Sequence, residues 1–113
     1  IMVSHIACPN VTGDNTPATL SKTLITDLLR EEMGFDGMVI TDALNMGAIT
    51  EQYTADQAAV NAVLAGADML LMPADFQTAY QGILNAVAEG TLTEERINDS
   101  VRRILEIKAE MAE

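Results

Sequence analysis

Three short apolar runs divide the chain, and they limit the folds open to it more than any other feature. They cover residues 1–6, 38–41 and 69–72. Each run is nearly continuous in apolar side chains, a pattern typical of parallel strands that are covered on both faces. The runs follow one another at intervals of roughly 30 residues, the length that a strand–helix–strand unit needs. The sequence therefore predicts an α/β fold with a parallel sheet.

Segments with helical periodicity fill the intervals between the predicted strands. The first predicted helix begins near Ser21 and stops at Gly34, a residue that commonly ends helices. The second follows Thr54 and Gln57, which stand at the spacing of a capping box, and it ends at Gly66. Its small alanines indicate close packing against a sheet.

Two more helices are predicted after the third strand. One is capped by Asp75 and closes at Gly90, and the last opens at Thr93. On this last helix, Arg102 and Arg103 are predicted to lie on the polar side. Its apolar stripe comprises Ile97, Val101, Ile104, Leu105 and Lys108.

Composition excludes several classes of protein. The 113 residues suffice for one domain at most, and 49% of them are hydrophobic, which is typical of a folded chain. The net charge of −11 argues against binding to nucleic acid or anionic lipid, since both need a positive surface. Cys8 is the single cysteine, so no internal disulfide can form. No apolar run approaches the roughly 20 residues that span a bilayer.

The number of predicted strands indicates a piece of a larger fold. A parallel sheet of three strands has two open edges, and open edges pair readily with other chains. A complete eight-fold β/α barrel needs about 250 residues, so this chain would supply only its last part. We therefore expect residues 1–113 to form the last three β/α units plus a closing helix of a partial (β/α)8 TIM barrel. Self-association through the open edges is also expected.

Asp42 is the first candidate for a functional residue, because it directly follows the apolar strand that ends at Thr41. In α/β folds, ligand-binding and catalytic groups gather at the carboxyl ends of the strands. Asp36 and Asp68 precede strands and are therefore predicted to be structural. A purely local role for Asp42, in a turn or in a bond to the Asn45 amide, remains open at this stage.

His5 and Met46 are the other candidates on the same rim. His5 ends the first strand as Asp42 ends the second, although a lone histidine is more often a packing residue. Met46 follows the second predicted strand and Met72 ends the third, so both are candidates for the rim, although apolar packing is the default for methionine. Asp42 and His5 alone do not make a metal site, and no other histidine exists, so no metal is predicted. The chain also lacks a glycine-rich phosphate loop, so no cofactor is predicted.

The order of short motifs adds a resemblance to a known family. The chain contains LREEMGFDG, then a strand ending in Thr-Asp, then AGAD, and finally RINDSVRRIL. In this order the motifs resemble the C-terminal part of the catalytic barrel of glycoside hydrolase family 3. The chain is more similar to the β-N-acetylhexosaminidases than to the β-glucosidases of that family, which usually carry tryptophan where this chain has Ala43.

The resemblance implies specific roles. Asp42 corresponds to the nucleophile of a retaining mechanism, and His5 and Met46 would line the sugar pocket. The substrate would be terminal β-linked N-acetylglucosamine, for instance in peptidoglycan fragments. The compartment of the full-length protein, bacterial cytoplasm on one side or secretion and the cell envelope on the other, stays open at this stage. The branch's acid/base histidine belongs to an upstream loop that nothing in this chain matches. The piece alone is therefore expected to be inactive, and the remainder of the barrel is its expected partner.

Two other hypotheses come from different classes of protein. A flavodoxin-like signalling or binding module could use Asp42 as a phosphoacceptor, because receiver domains also place an aspartate at a strand end. Such domains need an acidic pair near the end of the first strand, and MVSHIACPN has none. The chain could also be a packing or oligomerisation unit without chemistry of its own.

Overall fold

The parallel sheet is present but is shorter than predicted. The computed structural model describes residues 1–111, so the last two residues of the predicted domain lie outside the described part. Strand β1 (Met2–Val3) pairs in parallel with strand β2 (Ile40–Thr41), with Met2 opposite Ile40. The third predicted strand contributes only a parallel bridge between Met69 and Ile40. An α/β arrangement is therefore confirmed, while most residues of the three apolar runs lie outside regular strands.

The four predicted helices are all present, and shorter helical turns lie between them. The first predicted helix differs in its winding, because the Met33 N–H donates to the Leu28 carbonyl five residues back (2.8 Å). It is therefore a π-helix rather than an α-helix. The helices are α1 (Pro9–Thr12), a 3-10 turn (Ala18–Leu20), the π-helix (Thr23–Glu32), α2 (Gly47–Thr50), α3 (Ala55–Ala65), α4 (Phe76–Glu89) and α5 (Glu94–Met111).

Side chains cap the helices where the sequence predicts them. The Gln57 side chain accepts the N–H of Thr54 at the start of α3 (3.1 Å). Asp75 and Thr93 each accept the N–H of the residue three positions on, at 3.2 and 3.1 Å. These bonds satisfy donors that have no partner inside the helix. Helix α4 ends at Gly90, which adopts a left-handed backbone with φ 84°.

The core lies between the sheet and one face of α3. Val39 and Ala62 are fully buried, and Leu44 and Ile49 from the segment after β2 are 1% exposed. The alanines of α3 allow other elements to approach closely. The main buried apolar cluster comprises Leu20, Ile25, Val39, Leu44, Ile49, Ala58, Ala62, Ala65 and Ala67.

Asp68, which precedes the third apolar run, has a fully buried side chain. One carboxylate oxygen accepts bonds from Arg30 (2.7 Å) and from the Val39 N–H (2.9 Å). The other accepts from the Ser100 hydroxyl (2.7 Å) and from Arg103 (3.1 Å). Asp68 therefore joins the π-helix, the start of the second apolar run and α5, a structural role that agrees with its predicted position.

The charge of Asp68 is stabilised against its burial. Burial by itself raises the pKa of this carboxyl group. The bonds from Val39 and Ser100 and the charge of Arg30, together with the bond from Arg103, outweigh that effect and hold the pKa below its ordinary value of 3.8. Arg96 adds a third guanidinium at 3.9 Å. Breaking this arrangement would leave buried charges without partners.

The orientation of α5 corrects one prediction from the sequence. The sequence predicts Arg103 on the polar side, but its side chain is 12% exposed and faces Asp68. The face that turns inward carries Arg96, Ser100 and Arg103, because a buried carboxylate requires charged or hydroxyl partners. Val101 and Leu105, predicted to pack, are 45% and 59% exposed. Arg102 lies outside as predicted, beside Glu106 at 3.1 Å.

The replacement of Gly82 by alanine tests the contact between α3 and α4. Alanine normally favours a helix interior over glycine by about 1 kcal/mol. A Cβ on Gly82 would lie 2.5 Å from the Asp56 Cβ and 3.0 Å from its Cα, so the helices would have to separate. We expect Gly82→Ala to lower the free energy of unfolding by about 1–3 kcal/mol in urea titrations. The neighbouring exposed change Gln81→Ala should stay within about 0.5 kcal/mol. A stabilised Gly82→Ala variant would contradict the close approach.

Replacing Asp68 by asparagine tests the buried network. We expect Asp68→Asn to lower the free energy of unfolding by about 3–5 kcal/mol at neutral pH, since three guanidinium groups lose their counter-charge. The matched change Asp36→Asn removes a carboxylate that is 79% exposed and 3.6 Å from Arg103, and should cost less than about 1 kcal/mol.

The stability lost in Asp68→Asn should also depend on pH. Because the folded pKa of Asp68 is depressed, its stabilising contribution is complete above about pH 4, the unfolded value, and is lost as the pH falls through the folded pKa. The stability difference between the wild type and Asp68→Asn should therefore be constant near pH 7 and should shrink below about pH 4. A difference that grows on acidification would refute this account.

Candidate active site

Asp42 stands directly beyond β2, at the carboxyl end of the parallel pair. Its backbone N–H donates to the Val3 carbonyl (2.9 Å), which continues the β1–β2 ladder by one residue. The preceding Thr41 is fully buried, and its hydroxyl accepts the Leu71 N–H (3.1 Å). The Asp42 side chain is half-buried, and its Oδ1 accepts the N–H of Ala43 (2.8 Å). The sheet therefore fixes the backbone that carries this carboxylate.

The carboxylate of Asp42 has no cation beside it among residues 1–111. All ion pairs found there involve other acids, namely Asp36, Asp68 and Glu106. Within the same residues Asp42 makes no bond to the Asn45 amide, the local alternative raised by the sequence, and Ala43 supplies the donor instead. One oxygen, Oδ2, thus has no hydrogen-bond partner in the described part of the chain. An ionised carboxylate with one free oxygen is suited to nucleophilic attack.

His5 lies next to this aspartate but does not bond to it. Its Nε2 is 2.7 Å from the carbonyl of Ala43, and its Nδ1 is 2.7 Å from the hydroxyl of Thr19. Both ring nitrogens are therefore occupied within the chain. Any contact of His5 with a bound ligand would run through the carbon atoms of the ring.

Met46 and Met72 border the same edge of the sheet. Met46 is 45% exposed and directly precedes α2 as its N-cap, where its carbonyl accepts the Ile49 N–H (2.9 Å). Met72 is 57% exposed and has a φ of 45°, which is rare for a residue with a side chain. The Leu44 N–H donates to the Leu71 carbonyl (2.9 Å), so the segments after β2 and after the third apolar run are joined.

Sequence reasoning missed Thr19. This residue follows no predicted strand, so only its contact with His5 marks it as part of the site. The antiparallel bridge between Ala7 and Pro17 returns the loop to the end of β1, and the 3-10 turn then places the fully buried Thr19 against the imidazole. Such a meeting between residues 14 positions apart has no periodic signal in the sequence.

Over residues 1–111, no group of three or more histidine, cysteine or acidic side chains is arranged to hold a metal ion. Cys8 has a free, half-buried thiol. No helix in the described range is both long and apolar enough to cross a membrane.

Comparison with known proteins decides the family. Residues 1–107 match the model of the glycosyl hydrolase family 3 N terminal domain. The chain belongs to glycosyl hydrolase family 3. This assignment confirms the resemblance seen in the motifs, and it excludes the flavodoxin-like alternative.

Individual similar proteins agree with this assignment. The chain is 29% identical to a β-N-acetylglucosaminidase/β-glucosidase of Cellulomonas fimi, over 98% of this chain and 21% of the relative. It is 32% identical to β-hexosaminidase A of Pseudoalteromonas piscicida, over 98% of this chain and 22% of that protein. The family 3 β-N-acetylglucosaminidase structure from a Paenibacillus species superimposes with a TM-score of 0.93 at 43% identity, covering 98% of this chain and 22% of that one. The chain thus spans about a fifth of the length of these relatives.

Proposed function

We propose that residues 1–113 form the last three β/α units and the closing helix of a (β/α)8 barrel. The complete barrel would be a retaining β-N-acetylhexosaminidase. The parallel order of β1, β2 and the Met69 bridge supports this arrangement, as does the alternation of strands with α3 and α4. Tests of this proposal use the complete enzyme, which is the longer polypeptide that contains this chain or a chimera in which the chain replaces the matching segment of the Paenibacillus enzyme.

The observation that carries the proposal is the state of the Asp42 carboxylate. It lies at the strand end, with Oδ1 held by Ala43 and Oδ2 without a partner among residues 1–111. In the first step, Oδ2 attacks the anomeric carbon and the glycosidic C–O bond breaks. The leaving oxygen takes a proton from an acid that lies outside this chain. Water then opens the resulting ester and gives a proton back to that group, which releases the sugar and restores both the carboxylate and the acid.

The proposed substrate is terminal β-linked N-acetylglucosamine. It rests on the names of the similar bacterial enzymes, and the resemblance described for Ala43 points the same way. Peptidoglycan fragments are a natural source of this sugar. His5 and Met46 are proposed to line the pocket, and no cofactor is needed by this mechanism. The chemistry requires only a nucleophile and an acid/base on opposite sides of the bond.

The remainder of the barrel is the proposed partner of this chain. Ile1 and Met2 at the β1 edge are 55% and 56% exposed, and Phe76 and Tyr80 on α4 are 69% and 58% exposed. These surfaces suit contact with the preceding β/α units. When those units are absent, the same open edge is proposed to drive self-association.

Asp42→Asn in the complete enzyme tests the nucleophile. We expect kcat on nitrophenyl N-acetyl-β-glucosaminide to fall by on the order of 10³-fold or more, because the amide cannot form the ester. Circular dichroism should show an unchanged fold. The matched change Asp36→Asn alters an aspartate at the other end of the sheet and should leave kcat near that of the parent. Peptide mapping of acid-quenched enzyme should locate the glycosyl ester on Asp42. Near-normal turnover by Asp42→Asn, in a folded protein, would exclude this role.

Activity of the isolated 113-residue chain tests whether a second catalytic group lies outside it. We expect no hydrolysis of the same substrate, because retaining hydrolysis needs a second group that this chain does not supply. The comparison is the complete enzyme at equal molar concentration. Turnover that persists through purification of the short chain, and that Asp42→Ala abolishes, would show that this chain holds a full catalytic pair.

A further inference from the structure

Four groups form a continuous series of hydrogen bonds that ends on Asp42. The Thr19 hydroxyl meets Nδ1 of His5 at 2.7 Å, and Nε2 of His5 meets the Ala43 carbonyl at 2.7 Å. The Ala43 N–H in turn donates to Oδ1 of Asp42 at 2.8 Å. Ala43 is thus held on its carbonyl by the histidine while its N–H holds the aspartate.

We propose that His5 is a positioning residue for Asp42. With its ring held by Thr19, it fixes Ala43 and so keeps the carboxylate in the rotamer that leaves Oδ2 free to attack. This inference rests on the proposed function of Asp42 and adds to it a role that does not involve contact with the sugar.

The direction of each bond follows from the chemistry of the groups. A carbonyl oxygen only accepts, so Nε2 of His5 must carry the proton that points at Ala43. In the neutral ring Nδ1 is then an acceptor, and the Thr19 hydroxyl donates to it. The hydroxyl therefore selects the tautomer, as the partner of one ring nitrogen generally does for the other. Without it, the neutral ring is free to move its proton to Nδ1 and to release the Ala43 carbonyl.

The far end of the series is rigid. Thr19 is fully buried in the 3-10 turn, and the neighbouring Ala18 N–H donates to the Ile6 carbonyl (2.9 Å), one residue beyond His5. The near end is rigid as well, because the Asp42 N–H is bound to Val3 in the sheet (2.9 Å). The imidazole therefore connects two fixed backbones. A catalytic group is effective only when it is held close to its attacking geometry.

Two changes at Thr19 in the complete enzyme test this role. Thr19→Val keeps the shape and removes the hydroxyl, whereas Thr19→Ser keeps the hydroxyl and removes the methyl group. We expect Thr19→Val to lower kcat, and the burst rate of nitrophenol release, by on the order of 100-fold, with KM changed by less than about threefold. Thr19→Ser should stay within about threefold of the parent kcat. Thr12→Val removes a hydroxyl that bonds to the Cys8 and Asp14 carbonyls, outside this series, and serves as the control that should match the parent.

The relative kcat values of Thr19→Val and Thr19→Ser distinguish a positioning role of Thr19 from a packing role. If Thr19 only filled space, Thr19→Val would lower kcat less than Thr19→Ser. That result would overturn the proposal. A raised KM with unchanged kcat would also overturn it, because His5 would then act on substrate binding. Failure of the proposed function is distinct from both: Asp42→Asn would retain turnover.

If Thr19→Val does not fold, two changes at His5 test whether this residue positions Asp42. Glutamine places an N–H near the position of Nε2 and is able to donate to Ala43, while leucine is not. We expect kcat of His5→Gln to exceed that of His5→Leu by about tenfold or more, at similar melting temperatures. Equal kcat values for the two variants would overturn the positioning role.

Discussion

The buried carboxylate of Asp68 is the contact on which the rest of this structure depends. It accepts bonds from Arg30, Ser100 and Arg103 and from the backbone of Val39, so it ties the π-helix and α5 to the segment that leads into β2. Three of the four arginines of the chain surround it. Because a buried charge without partners is strongly destabilising, these elements hold their relative positions only as a set.

This concentration of positive charge also shapes the other end of the sheet. With Arg30, Arg96 and Arg103 gathered around Asp68 before the third apolar run, no guanidinium of the described chain pairs with Asp42 beyond β2. The two aspartates therefore have opposite environments. The charge of Asp68 is balanced by arginines and its side chain is fully buried, which contributes to stability. Asp42 is half-exposed and keeps one oxygen free, which suits the nucleophilic role proposed for it.

Most of the motifs that indicate family 3 contribute residues to the buried environment of Asp68. Arg30 lies in LREEMGFDG, Asp68 in AGAD, and Ser100 and Arg103 in RINDSVRRIL, and all four meet at one point. These family motifs are distant in the chain, but together they build one buried network. The Thr-Asp pair at 41–42 is the motif that lies at the proposed site of chemistry.

The sequence by itself determined the α/β class, the positions of the four long helices with several of their caps, and the side of the sheet on which Asp42, Asp36 and Asp68 lie. These features follow from local periodicity and from the order of strands, which one chain segment encodes without reference to others. Only the tertiary structure decided that Arg103 turns inward, that Met69 contributes a single bridge, and that Thr19 reaches His5. Each of these depends on a partner 14 or more residues away, and the free energy of pairing a buried polar group outweighs the local pattern that suggested otherwise.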